Sequence, residues 1–234
     1  MYKRILLKLS GEALGLDGKL FDHAMVERVA KVIKQVKDTG VQLGIVIGGG
    51  NIWRGRQGPS ANMDPVIADQ MGMTATLLNC LLMQDALIQQ GLKAVTQSAV
   101  QMDRFCESYS TQKAVSHLES GAVVLFAFGS GNPFFSTDTA VALRAVEVKA
   151  DAIFMAKNID GVYDDDPRVN PKAKLISDIT YKKCIEMDLK VMDQTAFSLC
   201  KDNNLPEIRV FGLSEPENIL KALKGELPGT VIHP

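Results

Sequence analysis

The stretch Val41-Gln42-Leu43-Gly44-Ile45-Val46-Ile47-Gly48-Gly49-Gly50-Asn51 sets the fold class. Val41 to Ile47 is mostly aliphatic and lacks polar alternation, which is how a strand covered on both faces reads. It runs directly into three glycines, so the predicted strand opens into a loop whose backbone can come close to a neighbour or a ligand.

The same grammar repeats outward from this stretch. Upstream, Tyr2 to Leu9 reads as a strand followed by Ser10-Gly11-Glu12. Between the two strands, Asp22 is placed as an N-cap, with Phe21 and Val26 as a hydrophobic staple. Val26, Val29, Ile33 and Val36 then recur at helical spacing, Glu27, Lys31 and Lys34 face water, and Gly40 ends the helix. Downstream, Pro65 to Gln90 predicts a long apolar helix with a break near Gly72 and a stop at Gly91. Leu92 to Thr96, Ala122 to Phe128 and Asp151 to Ala156 read as strands, separated by helices over Ser110 to Glu119 and Thr137 to Val148. The last third is less regular. It offers a helix before Lys190, another over Asp193 to Lys201, a strand at Ile208 to Phe211, a helix near Pro216 to Lys224 and a short final strand. Strands alternating with helices predict an α/β fold with a mostly parallel sheet covered on both faces, as one domain over 1–234 whose halves flank a cleft.

Composition narrows the function. Of 234 residues, 46% are hydrophobic and 23% charged, which excludes disordered and collagen-like chains. Lys and Arg number 26 against 27 Asp and Glu, a formal net charge of -1 that argues against nucleic-acid polymers and anionic membranes as partners. The basic start Met1-Tyr2-Lys3-Arg4 is not followed by a long enough apolar run for a secretory signal. The longest uncharged stretch, Gly121 to Thr137, is too polar in its second half to span a bilayer. Cys80, Cys106, Cys184 and Cys200 contain no CxxC pair, so they suggest neither zinc nor a redox motif, and free thiols fit a reducing cytoplasm. His23, His117 and His233 are scattered, the first two on helix surfaces and the third in the tail, and no metal-ligating cluster is read from the sequence.

In open parallel sheets ligands bind at the carboxyl ends of strands. Three glycine-bearing loops fall there: Lys8-Leu9-Ser10-Gly11-Glu12, then Gly48-Gly49-Gly50-Asn51 with Arg54 and Arg56 beyond it, then Gly129-Ser130-Gly131-Asn132-Pro133-Phe134-Phe135-Ser136-Thr137-Asp138. Exposed backbone N–H groups and a helix N-terminus make an anion site without net positive charge, to which Lys8 and Arg54 add full charges. Each loop alone reads as ordinary turn composition. Three at successive strand ends favour a ligand bearing phosphate. There is no GxxxxGK[ST], no complete GxGxxG, no GxSxG and no HExxH. Glycosidase chemistry would not need such loops. Phosphoryl transfer remains.

At these residues the chain resembles the bacterial uridylate (UMP) kinases of the amino acid kinase family. The most specific segments are Val46 to Gly55, Ala68-Asp69-Gln70-Met71-Gly72-Met73, Gly131 to Asp138, Asp160-Gly161-Val162-Tyr163 and Val191-Met192-Asp193, and the likeness runs over essentially the whole chain. The resemblance implies a three-layer α/β/α sandwich and the reaction ATP + UMP → ADP + UDP with Mg2+ as MgATP. It further implies a cytoplasmic homohexamer with GTP as activator and UTP as inhibitor. Carried over by position, Lys8, Arg54, Asp138 and Asp193 match catalytic positions. Lys8, Leu9, Ser10, Gly11, Gly50, Arg54, Asn158, Tyr163 and Asp166 match the ATP site. Gly49, Asp69, Ser130, Gly131, Asn132, Pro133, Phe134, Phe135, Ser136 and Thr137 match the UMP site.

The chemistry agrees with this. A UMP phosphate, with a second pKa of about 6, is largely ionised near neutral pH and needs no general base, so catalysis reduces to alignment and charge neutralisation. Asp69 is the right type to accept from a ribose diol. Asp164-Asp165-Asp166-Pro167 reads as an Asx-rich turn, and Asp166 takes its nucleotide role from the resemblance alone. The chain departs from the family in two places. Gly15-Leu16-Asp17-Gly18-Lys19 is short beside the family's usual loop, which is linked to GTP activation. Lys157-Asn158 replaces the commoner Thr-Lys, leaving two residues for one ATP contact. A related kinase acting on a carboxylate or carbamate, and a non-catalytic nucleotide-binding storage or regulatory protein, are the competing readings. The Gly131–Asp138 block argues against the first, and joint retention of Lys8, Arg54, Asp138 and Asp193 against the second.

Overall fold

Buried strands with two apolar faces need a helical layer on each side, and the computed structural model has that arrangement. It describes residues 2–15, 19–54, 62–165, 167, 169–189, 191–213, 215–226 and 229–234. The strands are β1 (Arg4–Leu9), β2 (Gln42–Ile47), β3 (Ala94–Ser98), β4 (Glu107–Ser108), β5 (Val123–Ala127), β6 (Ala152–Lys157), β7 (Val162–Tyr163), β8 (Leu175–Ile176), β9 (Asp178–Thr180), β10 (Ile208–Gly212) and β11 (Thr230–His233). The helices are α1 (His23–Asp38), α2 (Pro65–Gln89), α3 (Thr111–Glu119), α4 (Thr137–Glu147), α5 (Tyr181–Glu186), α6 (Gln194–Asp202) and α7 (Asn218–Lys224), with a 3-10 turn at Gly11–Leu14.

Among the described residues one sheet of nine strands runs β4-β3-β5-β2-β1-β6-β10-β11-β9, parallel throughout except for the antiparallel β10–β11 pair. A separate antiparallel hairpin, β7–β8, is fastened to β11 by Thr230 Oγ1, which accepts from Val162 N–H at 2.7 Å and donates to Ile176 O at 2.6 Å. Strand β1 is central, pairing Leu9 with Ile47 of β2 and with Ala156 of β6.

Alternation along the strands assigns the layers. Ile5, Leu7 and Leu9 of β1 and Ala152, Phe154 and Ala156 of β6 pack against α1, α2 and α7. Leu6, Ile153 and Met155 face the opposite side, against α3, α4, α5 and α6. The expected sandwich is therefore present, with a core on each face of the sheet.

The N-cap expected at Asp22 is present, and Ser110, expected as the first residue of a helix, caps one instead. Asp22 accepts from Met25 N–H at 3.1 Å to start α1, and Ser110 accepts from Lys113 N–H at 3.3 Å to start α3. The break expected near Gly72 is absent, and α2 runs unbroken from Pro65 to Gln89. A helical glycine costs only about 1 kcal/mol, and burial of Ala75, Leu77, Cys80, Met83 and Leu87 outweighs it. By length and composition α2 is long and apolar enough to cross a membrane, yet those residues commit its inner face to the core. Strand β3 begins two residues later than expected because Leu92 N–H still closes the end of α2 by donating to Leu87 O at 3.1 Å. His233, expected in a tail, lies in β11, with Nε2 3.0 Å from Asp178 Oδ1.

Candidate active site

The alternation that orders the core also aims two lysines. Lys8 shares its face with Leu6, and Lys157 shares its face with Ile153 and Met155, so both point toward the layer of α4 and α6. Asp138 meets them there, from the first turn of α4, where a helix N-terminus favours a carboxylate. Lys157 Nζ donates to Asp138 Oδ2 at 3.0 Å and also to Val191 O. Lys8 Nζ lies 3.1 Å from Oδ1, held by charge without an aligned hydrogen bond. The side chains of Lys8, Asp138 and Lys157 are only 11%, 14% and 18% exposed. Burial alone would raise the Asp138 pKa, but the adjacent Lys8 and Lys157 charges outweigh it and hold the carboxyl below its ordinary range. Burial also pushes the Lys157 ammonium below the ordinary lysine value, an effect Asp138 opposes and Lys8 reinforces.

Asp193 lies beside this group as the N-cap of α6, accepting from Ala196 N–H at 2.8 Å. Its carboxylate also accepts from Thr139 Oγ1 at 2.9 Å and from Ser136 Oγ, the hydroxyl that caps α4. The N-termini of α4 and α6 are thereby tied together, bringing two partial positive ends to one place. The structure makes Asp193 a fastening between two helices, with its oxygens already engaged.

The first two glycine loops meet through their backbones. A Cβ on Gly11 would stand 2.2 Å from Gly48 O, and one on Gly49 would stand 2.8 Å from both Gly72 O and the Ala75 Cβ. These glycines therefore permit close contact between loops and with α2 as well as exposing N–H groups. Buried Asn79 fixes the second loop by donating to Gly48 O at 2.7 Å and to Asn51 Oδ1 at 2.8 Å. Trp53 Nε1 ties the loop to α2 through Ala68 O at 2.9 Å.

Two clefts flank the Lys–Asp–Lys group. One, of about 170 Å³, is lined by Gly49, Gly50, Trp53, Ala68, Asp69, Gly72, Met73, Thr76, Gly129, Ser130, Phe135, Ser136 and Thr137. It gathers six of the residues expected at the UMP site: Gly49, Asp69, Ser130, Phe135, Ser136 and Thr137. Gly131, Asn132, Pro133 and Phe134 belong to the same loop but do not line this cleft, although Phe134 N–H donates to Asp69 Oδ2 at 2.7 Å. The other, of about 410 Å³, is lined by Ile159, Val162, Tyr163, Asp164, Asp165, Pro167, Met187, Asp188, Leu189 and Val191. Thr137, next to Asp138, lines the first cleft, and Val191, the acceptor of Lys157, lines the second. The charged group thus adjoins a lining residue of each.

The residues expected at the ATP site divide. Lys8, Gly11, Gly50, Arg54 and Asn158 gather at the carboxyl ends of β1, β2 and β6, and Tyr163 lines the larger cleft. Ser10 precedes the 3-10 turn and makes no side-chain cap bond. The Leu9 side chain is fully buried against the α1–α2 layer, which leaves its backbone at the loops. Asp166 lies outside the described residues, as do Gly55, Arg56 and positions 16–18 of the short loop. Asp164 Oδ1 accepts from Lys174 N–H at 2.7 Å, ten residues away across the β7–β8 hairpin.

The sequence offers Lys157 only as one of two candidates for an ATP contact, without its pairing to Asp138, and gives Glu12 no role. The inward aim of Lys157 could have been found from its alternation with Ile153 and Met155 at the end of an apolar run. Glu12 gave no such signal, since its partners are distant in sequence: Arg54 NH2 at 2.7 Å and Asn158 Nδ2 at 3.0 Å.

A family model described as the amino acid kinase family matches residues 3–212. Two solved structures are similar over nearly the full chain. The UMP kinase from Bacillus anthracis has 36% identity and a TM-score of 0.94, covering 99% of this chain and 96% of its own. The UMP kinase from Ureaplasma parvum has 35% identity and a TM-score of 0.94, covering 100% of both chains.

Proposed function

The chain belongs to the amino acid kinase family, and from that membership we propose that it transfers the γ-phosphoryl group of ATP to UMP, giving ADP and UDP. One observation carries the reading: the buried Lys8–Asp138–Lys157 group adjoins the linings of two clefts, through Thr137 the one that holds Asp69 and through Val191 the one that holds Tyr163. Donor and acceptor nucleotides in separate clefts would bring their phosphates together at that point.

The charged group suits phosphoryl transfer. An ionised UMP phosphate needs no base, so the protein's work is alignment and stabilisation of charge on the transferring group. Lys8 and Lys157 supply that charge, and Asp138 holds both ammoniums in place. Asp193 positions Asp138 indirectly, by joining the helix ends that carry both. Arg54 and the glycine loops take the ATP phosphates, and Asp69 takes the UMP ribose. Asp138 and Asp193 are both engaged with protein donors, so Mg2+ belongs to the substrate as MgATP, coordinated by its phosphates.

The remaining assignments accompany this reading. One domain over 1–234 carries both nucleotides in the cytoplasm. The enzyme assembles as a homohexamer, in support of which Ile67, Met71, Leu78 and Ile88 form an exposed apolar stripe along α2. A helix apolar on more than its inner face needs a second covering surface. UTP inhibition and GTP activation accompany the family reading, the second set against a Gly15–Lys19 loop shorter than the family's.

The test is ADP release with MgATP and UMP, run beside CMP, aspartate and acetylglutamate. Turnover confined to UMP is expected. Turnover with an amino acid but not with UMP would overturn the reading.

A further inference from the structure

Glu12 has no role in the scheme above, yet from the loop after β1 it reaches residues that follow β2 and β6. It lies in the 3-10 turn after β1. Its Oε1 is 2.7 Å from Arg54 NH2, beyond the glycine triplet that follows β2, and its Oε2 accepts from Asn158 Nδ2 at 3.0 Å, beyond β6. A Cβ built on Gly50 would lie 3.7 Å from Glu12 Cγ and Oε1, so the carboxylate sits directly over that loop. An anion therefore bridges two of the groups assigned to ATP.

We propose that Glu12 is a displaceable counter-ion for the ATP phosphates. Without nucleotide it neutralises Arg54 and holds Asn158. When the triphosphate arrives, its oxygens take over both donors, and when ADP leaves, Glu12 recovers them. The exposure of the pair fits an exchange of partners. The Arg54 and Glu12 side chains are 58% and 38% exposed, so water can solvate each during the swap and neither is trapped as an uncompensated buried charge. A fixed structural pair at this position would be expected to be buried, as Asp138 is. The inference rests on the ATP assignment made above and deepens it: the protein carries its own competitor for the phosphate donors.

Glu12→Gln tests this, because the amide keeps the length of the side chain and an acceptor for Asn158 but removes the charge. Titration of wild type and E12Q with MgATP, without UMP, should show E12Q binding about two- to fivefold more tightly, the range expected when an exposed ion pair no longer competes. The advantage should shrink as salt rises toward about 1 M, where screening acts over only about 3 Å. Adenosine should bind both proteins equally, which confirms that the nucleoside cleft is intact. If E12Q binds adenosine normally but MgATP equally or more weakly, Glu12 is a support for Arg54 and the exchange model is overturned. If wild type itself binds no MgATP, the ATP assignment fails and this inference fails with it.

Discussion

Replacing Asp138 with Asn removes one negative charge from between two ammoniums while nearly preserving shape. The two nitrogens lie 3.1 and 3.0 Å from the carboxylate oxygens. At an effective dielectric of about 20, a contact of that length is worth about 5 kcal/mol before desolvation is subtracted. Breaking a buried pair by removing one partner costs a net of about 3–5 kcal/mol, because the remaining charge stays buried. Asp138 is 14% exposed, so solvent recovers little of this. We therefore expect D138N to lose about 3–5 kcal/mol of stability at pH 7, measured by urea denaturation. Its kcat should fall by at least about 10²-fold in a coupled ADP-release assay, since the charge that holds both ammoniums together is gone.

The pH dependence has a definite sign. Asp138 has a depressed pKa in the folded protein, so its contribution is present above the unfolded carboxyl value of about 3.9 and lost as pH falls through the lower folded value. The stability gap between wild type and D138N should therefore close in acid. In the variant Lys157 loses its partner, and its already lowered pKa should fall further below the unfolded value of about 10.4. The unfolded chain then binds more protons across that window, so stability of D138N rises with pH and the gap narrows again in alkali. A gap that stays constant from about pH 3 to pH 10, or a kcat within about threefold of wild type, would refute the reasoning.

Lys8→Ala should reduce kcat by about 10²–10³-fold while UMP still binds in a calorimetric titration, because Lys8 lies in the charged group and outside the acceptor cleft lining. Asp69→Asn keeps an acceptor for Phe134 N–H but loses the charge proposed above to take the ribose, so KM for UMP should rise about 10-fold with kcat little changed; a pure kcat effect in steady-state kinetics would contradict a binding role. Gly11→Ala places a methyl 2.2 Å from Gly48 O, which should destabilise the fold by about 3 kcal/mol and lower Tm by several degrees in a thermal melt.

Much of the fold was legible because its strands are buried on both sides. Ile5 to Leu9, Leu43 to Ile47 and Val123 to Ala127 read as apolar runs that only a covered parallel sheet explains, and each ends near a glycine loop. The short strands β4, β7, β8 and β9 were not foreseen, since two or three residues carry no period to detect. Gly72 was overread as a break because local propensity ignores the packing that overrides it. At the site, residue types and loop positions pointed to phosphate, and the resemblance supplied Asp69 and Asp138. The partnership of Lys157 with Asp138 was hidden because a strand-end lysine ordinarily faces solvent. The bond of Glu12 to Arg54 and Asn158 spans three chain segments, and only the folded geometry brings them together.

The length of α2 has a mechanical consequence. A helix of 25 residues is a rod about 38 Å long, and Pro65 to Gln89 continues without a hinge at Gly72. Asp69 projects from its first turns into the acceptor cleft, while Ile67, Met71, Leu78 and Ile88 run along its outer surface. One stiff beam thus carries a cleft-lining carboxylate, the proposed substrate contact, and an exposed apolar flank. A load applied anywhere along that flank is delivered as a shift or tilt of Asp69, with no joint between to absorb it.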